Sequence, residues 1–315
     1  MKALPWLIAT PWVIGSLLVL ALGPAELAPT PLTALLGLGL VASWLATPEF
    51  KKALYWALGF CGVVLMLWNG LDPRQDRDWL PEHARVPSVQ IQGDELIVED
   101  LRTFRWTEDG AEPSWGRASY DLGRLQGMDL VVSHFDDFDG IAHTLLSFRF
   151  ADGKVLAVSP EIRKEVGEEY SPSRGMFRNY ELTYVLADER DVLHVRTHVR
   201  GERVFVHPVD VQPSTARAVL EQIVKRVQSL ERRPAWYHTL TASCATTLAA
   251  DIQAVADPPL ELDWRVLLPG FSDGLAFDLG LLRTDGDLEA TRKANFADPA
   301  RYRGTGDYSR AIRGR

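Results

Sequence analysis

Three residues with complementary chemistry lie far apart in this 315-residue chain: Cys244, His143 and Glu161. A cysteine attacks an acyl carbon as its thiolate. It needs a base to take the proton, and the base needs a polar group to hold its ring. Cys244 follows the stretch TLTAS and precedes Leu248 by one helical turn, which predicts a thiol at a helix N-terminus. Free N–H groups and the positive end of the helix dipole there favour thiolate, and the same N–H groups can receive an oxyanion. The competing reading is packing, with Cys244 a small hydrophobe on the face it shares with Leu248 and Ile252.

Hairpin geometry ties His143 to Glu161. The segment IAHTLLSFRF, then ADG, then KVLAVSPEI reads as a β-hairpin over residues 141–162. With a loop of Ala151, Asp152 and Gly153, the glycine takes the left-handed bulge position and Phe150 pairs with Lys154. His143 then falls opposite Glu161, on one face. A two-residue loop would slip the register and send Glu161 to the other face. The plainer alternative is a core histidine and a rim glutamate. His194 and His198 read as alternating on a second strand, Val192–Val199, that turns at Gly201 into Val204–Val206 and brings His207 across. Three histidines could hold zinc, but Arg196 between them argues for a solvated face. Ser159-Pro160-Glu161 lacks the G-x-S-x-G setting of a serine nucleophile, and ADERD at 187–191 reads as a charged turn. No metal and no cofactor are expected.

The elements around these residues divide the chain in two. Residues 3–25, 27–48 and 53–71 hold no Asp, Glu, Lys or Arg, and each is long enough for a helix of about 20 residues across a bilayer core. Trp6, Trp12, Trp44, Trp56 and Trp68 lie toward the ends of these runs, where indoles favour the interface. The expectation is an integral membrane protein with a three-helix anchor, residues 1–71. Lys2, Lys51 and Lys52 mark the cytoplasmic side of a bacterial inner membrane, so everything after Leu71 is expected in the periplasm. A linker, 72–87, leads to a domain over 88–283 and a polar tail, 284–315. Short runs around Val89–Ile91, Leu96–Val98, Phe104–Trp106 and Leu130–Val132 read as strands. Residues 213–230 carry Ala216, Val219, Leu220, Ile223, Val224 and Val227 on one face, an amphipathic helix capped by Ser214 or Thr215. A second helix starts near Ser243 and runs through Leu248, Ile252 and Val255.

Charge and cysteine count exclude other classes. Setting aside Lys2, Lys51, Lys52, Glu26 and Glu49 leaves 31 basic and 40 acidic residues, a net of −9. So acidic a surface does not bind phosphate backbones, and nucleic acid is not an expected partner. Of the two cysteines, Cys61 falls in the apolar part, so Cys244 has no disulfide partner in the outer domain.

Two long stretches, AHTLLSFRFADGKVLAVSPEIRKEVGEEYSPSRGMFRNYELTYVLADERDVLHVRT and PAWYHTLTASCATT, resemble the Lnb N-terminal periplasmic domain family. The resemblance runs from about Val98 to DYSRAIR near the C-terminus. The family is similar to the permuted branch of NlpC-like, papain-type folds, in which the histidine strand precedes the cysteine helix. It implies an α+β domain of antiparallel sheet and packed helices, with His143 of the A-H-T segment, Glu161 of S-x-E-x-R and Cys244 of the cysteine segment as catalytic residues. Tyr237, Ser243 and Thr246 are expected to support or bind around them. Here the cysteine segment reads Ala-Ser-Cys-Ala, where the family usually has Asn before and Thr after, and His238 stands where Asn is usual. The name-giving members are linked to lipoprotein N-acylation. The expected function is thus covalent acyl transfer on a membrane phospholipid or lipoprotein. The alternatives are a cell-wall amidase or endopeptidase with the same thiol chemistry, and a non-catalytic envelope scaffold.

Overall fold

Alternating apolar residues from Val89 onward build strands, because every second side chain of a strand faces the same layer. The computed structural model describes residues 4–24, 50–107, 110–261, 263–284, 286–304 and 306–314. The strands are β1 (Ser88–Gln92), β2 (Glu95–Arg102), β3 (Arg105–Thr107), β4 (Gly110–Glu112), β5 (Trp115–Asp121), β6 (Leu125–His134), β7 (Ala142–Phe150), β8 (Val155–Arg163), β9 (Glu181–Asp188), β10 (Arg203–Pro208) and β11 (Ala235–Trp236). Among the described residues one sheet runs β1-β2-β9-β8-β7-β6-β10, with β5 on β2 and β11 on β9, while β3 and β4 form a separate ribbon. The pairing is antiparallel apart from a parallel bridge, Arg102↔Ala187.

The β7–β8 hairpin has the three-residue loop. Phe150 N–H donates to the Lys154 carbonyl at 3.0 Å, and Gly153 takes φ +86°, a value that favours glycine. Leu146 pairs with Val158 and Arg149 with Val155, the register that sets His143 against Glu161.

Helices cover both faces. Among the described residues the helices are α1 (Leu4–Leu22), α2 (Phe50–Asn69), α3 (Glu189–His194), α4 (Pro213–Arg232), α5 (Cys244–Gln253), α6 (Ser272–Asp278), α7 (Leu288–Ala294) and α8 (Tyr308–Arg313). One apolar layer joins Leu146, Phe148, Leu156 and Val158 to α4 and α5; the other joins Val131, Leu145, Ala157 and Val185 to Val192, Leu193, Tyr302, Tyr308 and Ile312. The amphipathic reading of α4 holds: Ala216, Val219, Leu220, Ile223, Val224, Val227 and Leu230 are buried. Its cap position is Gln212, with Pro213 at the first helical position, two residues ahead of Ser214 and three ahead of Thr215, the expected caps.

Two expectations are corrected. Val192–Val199 is not a strand: α3 passes into a π-helical turn, Val195–Val199, before β10 starts at Arg203. Asp188 caps α3 by accepting from Arg190 N–H at 3.0 Å, and Val192, Leu193 and Val195 bury on the sheet. Helical spacing uses those residues as well as strand spacing does, and burial against the sheet decides. The second correction concerns the three transmembrane helices. Among the described residues no helix is long and apolar enough to cross a membrane. Helix α1 has 19 residues, about 28 Å at the usual rise, within a longer charge-free run. Helix α2 begins at Phe50 and so takes Lys51 and Lys52 into the helix itself. The second run, 27–48, lies outside the described residues. Helices α1 and α2 pack on each other around Val19, Leu20, Phe60, Cys61 and Val64. They end at the sheet domain, where Arg178 donates to the Trp68 carbonyl at 2.6 Å and Asn179 to that of Leu22.

Candidate active site

Strands β7 and β8 pair only from Arg149↔Val155 to Leu146↔Val158. Beyond that point β7 stays with β6 as far as Ala142↔His134, and β8 stays with β9 as far as Arg163↔Glu181. The sheet therefore forks, and the N-terminus of α5, which packs on both strands, stands at the fork. Strict alternation sets Thr144 and Leu146 toward α5 and His143 toward the opposite face. The open fork lets the two sides meet: Cys244, His143 and Glu161 line one cavity of about 250 Å3 together with Arg196, Tyr170 and Tyr237.

The helix that carries the thiol starts with a capping box. Ser243 Oγ accepts from Thr246 N–H at 3.3 Å, and Ser243 N–H donates to Thr246 Oγ1 at 2.7 Å. Cys244 is thus the first residue of a properly begun helix, where N–H groups have no intrahelical partner. Ser243 and Thr246, expected near the site, hold its helix end.

On the other side of the fork, His143 Nε2 lies 2.6 Å from Ser159 Oγ and 3.2 Å from Glu161 Oε1. Ser159 in turn donates to Glu161 Oε1 at 2.8 Å, so its oxygen can accept from the Nε2–H. With Nε2 so engaged, Nδ1 is the nitrogen left for the thiol, which lines the same cavity and acts on the ring by its charge. Arg196 of the π-helical turn donates to the same Glu161 oxygen at 3.1 Å and to the Val192 carbonyl at 2.7 Å. It is buried, not on a solvated face as its place between two histidines suggested.

These contacts move proton affinities in opposite directions. Burial pushes the His143 imidazole down, but the Glu161 carboxylate and the Cys244 sulfur outweigh it and carry it up to about 9. Burial pushes the Cys244 thiol up, yet His143 and the N–H and hydroxyl of Thr144 bring it below its ordinary value. Burial raises Glu161 too, and His143 and Arg196 hold it well below the usual carboxylate range. Thiolate and imidazolium each favour the charged form of the other here, and the Glu161 carboxylate backs the imidazolium. The Thr144 hydroxyl has no conventional hydrogen-bond partner among the described residues and faces the sulfur. Tyr237, also expected here, is buried and lines the cavity with Tyr170 and the thiol, and burial, Tyr170 and Cys244 all raise its phenol.

Ser159, Arg196, Thr144 and Tyr170 were missed as site residues. Ser159 was within reach of sequence reasoning, since it lies two positions before Glu161 on one strand and so shares its face. Arg196 was not, because its helix was read as a strand. The three histidines weighed for zinc are held by other partners. His194 and His198 stack at 4.3 Å, with His198 bonded to Thr197 and to the Pro299 carbonyl, while His207 sits 3.5 Å from Asp273.

Comparison with known proteins bears on the same region. A family model described as the Lnb N-terminal periplasmic domain matches residues 111–270, just over half of the chain and inclusive of His143, Glu161 and Cys244. No match was found among curated proteins or among solved structures. With its histidine strand ahead of its cysteine helix and this match across the sheet, the chain belongs to the Lnb N-terminal periplasmic domain family, a family of the bacterial periplasm and cell envelope.

Proposed function

We propose that the protein is a thiol acyl-transfer enzyme of the cell envelope, acting on lipid or lipoprotein through Cys244, His143 and Glu161. The observation that carries this reading is a thiol at a helix N-terminus lining one cavity with His143, whose ring is held by Ser159 and Glu161. In the first half-reaction the Cys244 thiolate attacks the carbonyl carbon of an ester. A C–S bond forms, the C–O bond breaks, and the leaving alkoxide takes a proton from the His143 imidazolium. In the second, a lipoprotein amine attacks the thioester. The neutral imidazole takes the amine proton, the C–S bond breaks, and the thiolate–imidazolium pair returns. The oxyanion of each tetrahedral intermediate lies within reach of the Cys244 N–H, with Thr144 N–H and the Tyr237 hydroxyl nearby.

The test incubates purified full-length protein with phospholipid vesicles and a lipoprotein acceptor, reading the Cys244 peptide by mass spectrometry. An acyl adduct on Cys244, chased onto the acceptor, is the expected result. Acylation retained by Cys244→Ala rejects the thiol mechanism, and cleavage of cell-wall peptides with no lipid product makes the protein an amidase.

A further inference from the structure

Cys244 stands between two spaces of opposite character. The polar cavity lies on its His143 side. On the other side, along α5 and α6, runs an apolar groove of about 700 Å3. Its inner end is Thr144, Ala245 and Thr246: the residue whose N–H and hydroxyl face the sulfur, and two of the residues that follow the nucleophile. Leu248, Ile252, Leu275 and Ala276 wall it. Its mouth carries Leu240, Trp264, Leu267 and Leu279, which are among the few large apolar side chains this domain leaves exposed, Trp264 at 62%. Such a cluster on one rim marks a binding surface.

We infer that this groove seats the acyl chain of the ester donor, with the chain's carbonyl end at Cys244 and its methyl end toward Trp264. The inference rests on the acyl-transfer reading above and names its substrate class. The volume lies within the span of small-molecule pockets, about 300–1,000 Å3. Apart from Leu130, Thr144 and Leu146 of β6 and β7, the walls are helix and loop with mostly apolar side chains, so a peptide lying along the groove buries unpaired amides. A hydrocarbon chain has none to lose. Asp263 at the mouth is paired with Arg265 at 2.8 Å, which leaves Glu261 as the other carboxylate of the lining.

The experiment uses the full-length protein and two readouts. One is titration with cis-parinaric acid, a fluorescent long-chain fatty acid; the other is the ratio of p-nitrophenyl laurate to p-nitrophenyl butyrate turnover. Ala276→Trp fills the groove, and Leu279→Asp places a charge at a position already 44% exposed, where folding is not at risk. Both variants are expected to bind the fatty acid about tenfold more weakly and to lower the laurate-to-butyrate ratio by a similar factor. Wild-type binding in both variants, or an unchanged ratio in both, overturns the assignment. Cys244→Ala separates the two readings. Binding retained with both esters left intact supports the groove and the thiol together, whereas ester turnover retained in Cys244→Ala overturns the thiol reading alone.

Discussion

Glu161 Oε1 is the point on which the site's charges converge, receiving His143, Ser159 and Arg196 within 3.2 Å. That convergence makes the pH profile a direct readout of the arrangement. Activity needs thiolate and imidazolium together, so kcat/KM should rise below the ordinary thiol range and fall as His143 deprotonates near pH 9. Glu161→Gln removes the largest interaction that raises His143. Its alkaline limb should move down toward the ordinary histidine value near 6.5, with partial activity remaining. Arg196→Gln acts with the opposite sign, because the guanidinium lowers His143; the limb should move up. A profile that stays in place in both variants contradicts the assigned contacts. His143→Ala should cost about a hundredfold to ten-thousandfold in turnover and Cys244→Ala at least as much, measured at the wild-type optimum.

Among the elements, α5 and the β7–β8 hairpin do the positioning. The capping box at Ser243 and Thr246 fixes where the helix starts, and hence where the sulfur sits. Ser243→Ala should cost roughly 0.5–2 kcal/mol of stability, read from urea unfolding. It should also slow alkylation of Cys244 by iodoacetamide at neutral pH, since a frayed first turn offers fewer aligned N–H groups to the thiolate. Faster alkylation would contradict that role. The hairpin loop sets the register: Gly153 at φ +86° has open space around it, so Gly153→Ala meets backbone strain without a clash. A loss of about 1 kcal/mol is expected, with the site geometry kept.

At the scale of the whole molecule, the sheet is buried on both faces, and the segment after residue 283 is part of that burial. Tyr302, Tyr308 and Ile312 join the layer that holds Val192 and Leu193 beneath the Arg196 turn. Arg313 closes it, bonding Asp129 at 2.7 Å and Glu189 at 2.6 Å, both nearly inaccessible. Asp129 also has Arg149 at 3.0 Å, but Glu189 depends on Arg313. Arg313→Ala should therefore destabilise the domain by about 3–5 kcal/mol, because a buried carboxylate is left uncompensated. A change under about 1 kcal/mol in chemical denaturation would show the pair to be solvated. The segment before β1 also docks: Trp79 is buried, Leu80 N–H donates to the Lys164 carbonyl at 2.9 Å, and His83, held down to about 3 chiefly by burial, accepts from Lys164 N–H.

Local chemistry settled much of this protein from its sequence. The A-D-G loop narrowed the hairpin to two registers, of which the three-residue loop is the one formed; the 3.6-residue spacing from Ala216 to Val227 dictated α4. Ser243 ahead of Cys244 dictated a helix that starts at the thiol. Tertiary structure decided the rest. Residues 192–199 suit helix and strand alike, and only burial of Val192, Leu193 and Val195 on the sheet chose helix, which carried Arg196 inward to Glu161. The charge-free N-terminal runs marked where two helices lie but not their ends, since α2 starts at Phe50, ahead of its run, and takes in Lys51 and Lys52. The fork between β7 and β8 has no signature in either strand, since each keeps its outer partner. It is a property of three neighbouring ladders at once, and it is what lets a histidine on one face of the sheet and a cysteine on the helix packed against the other line one cavity.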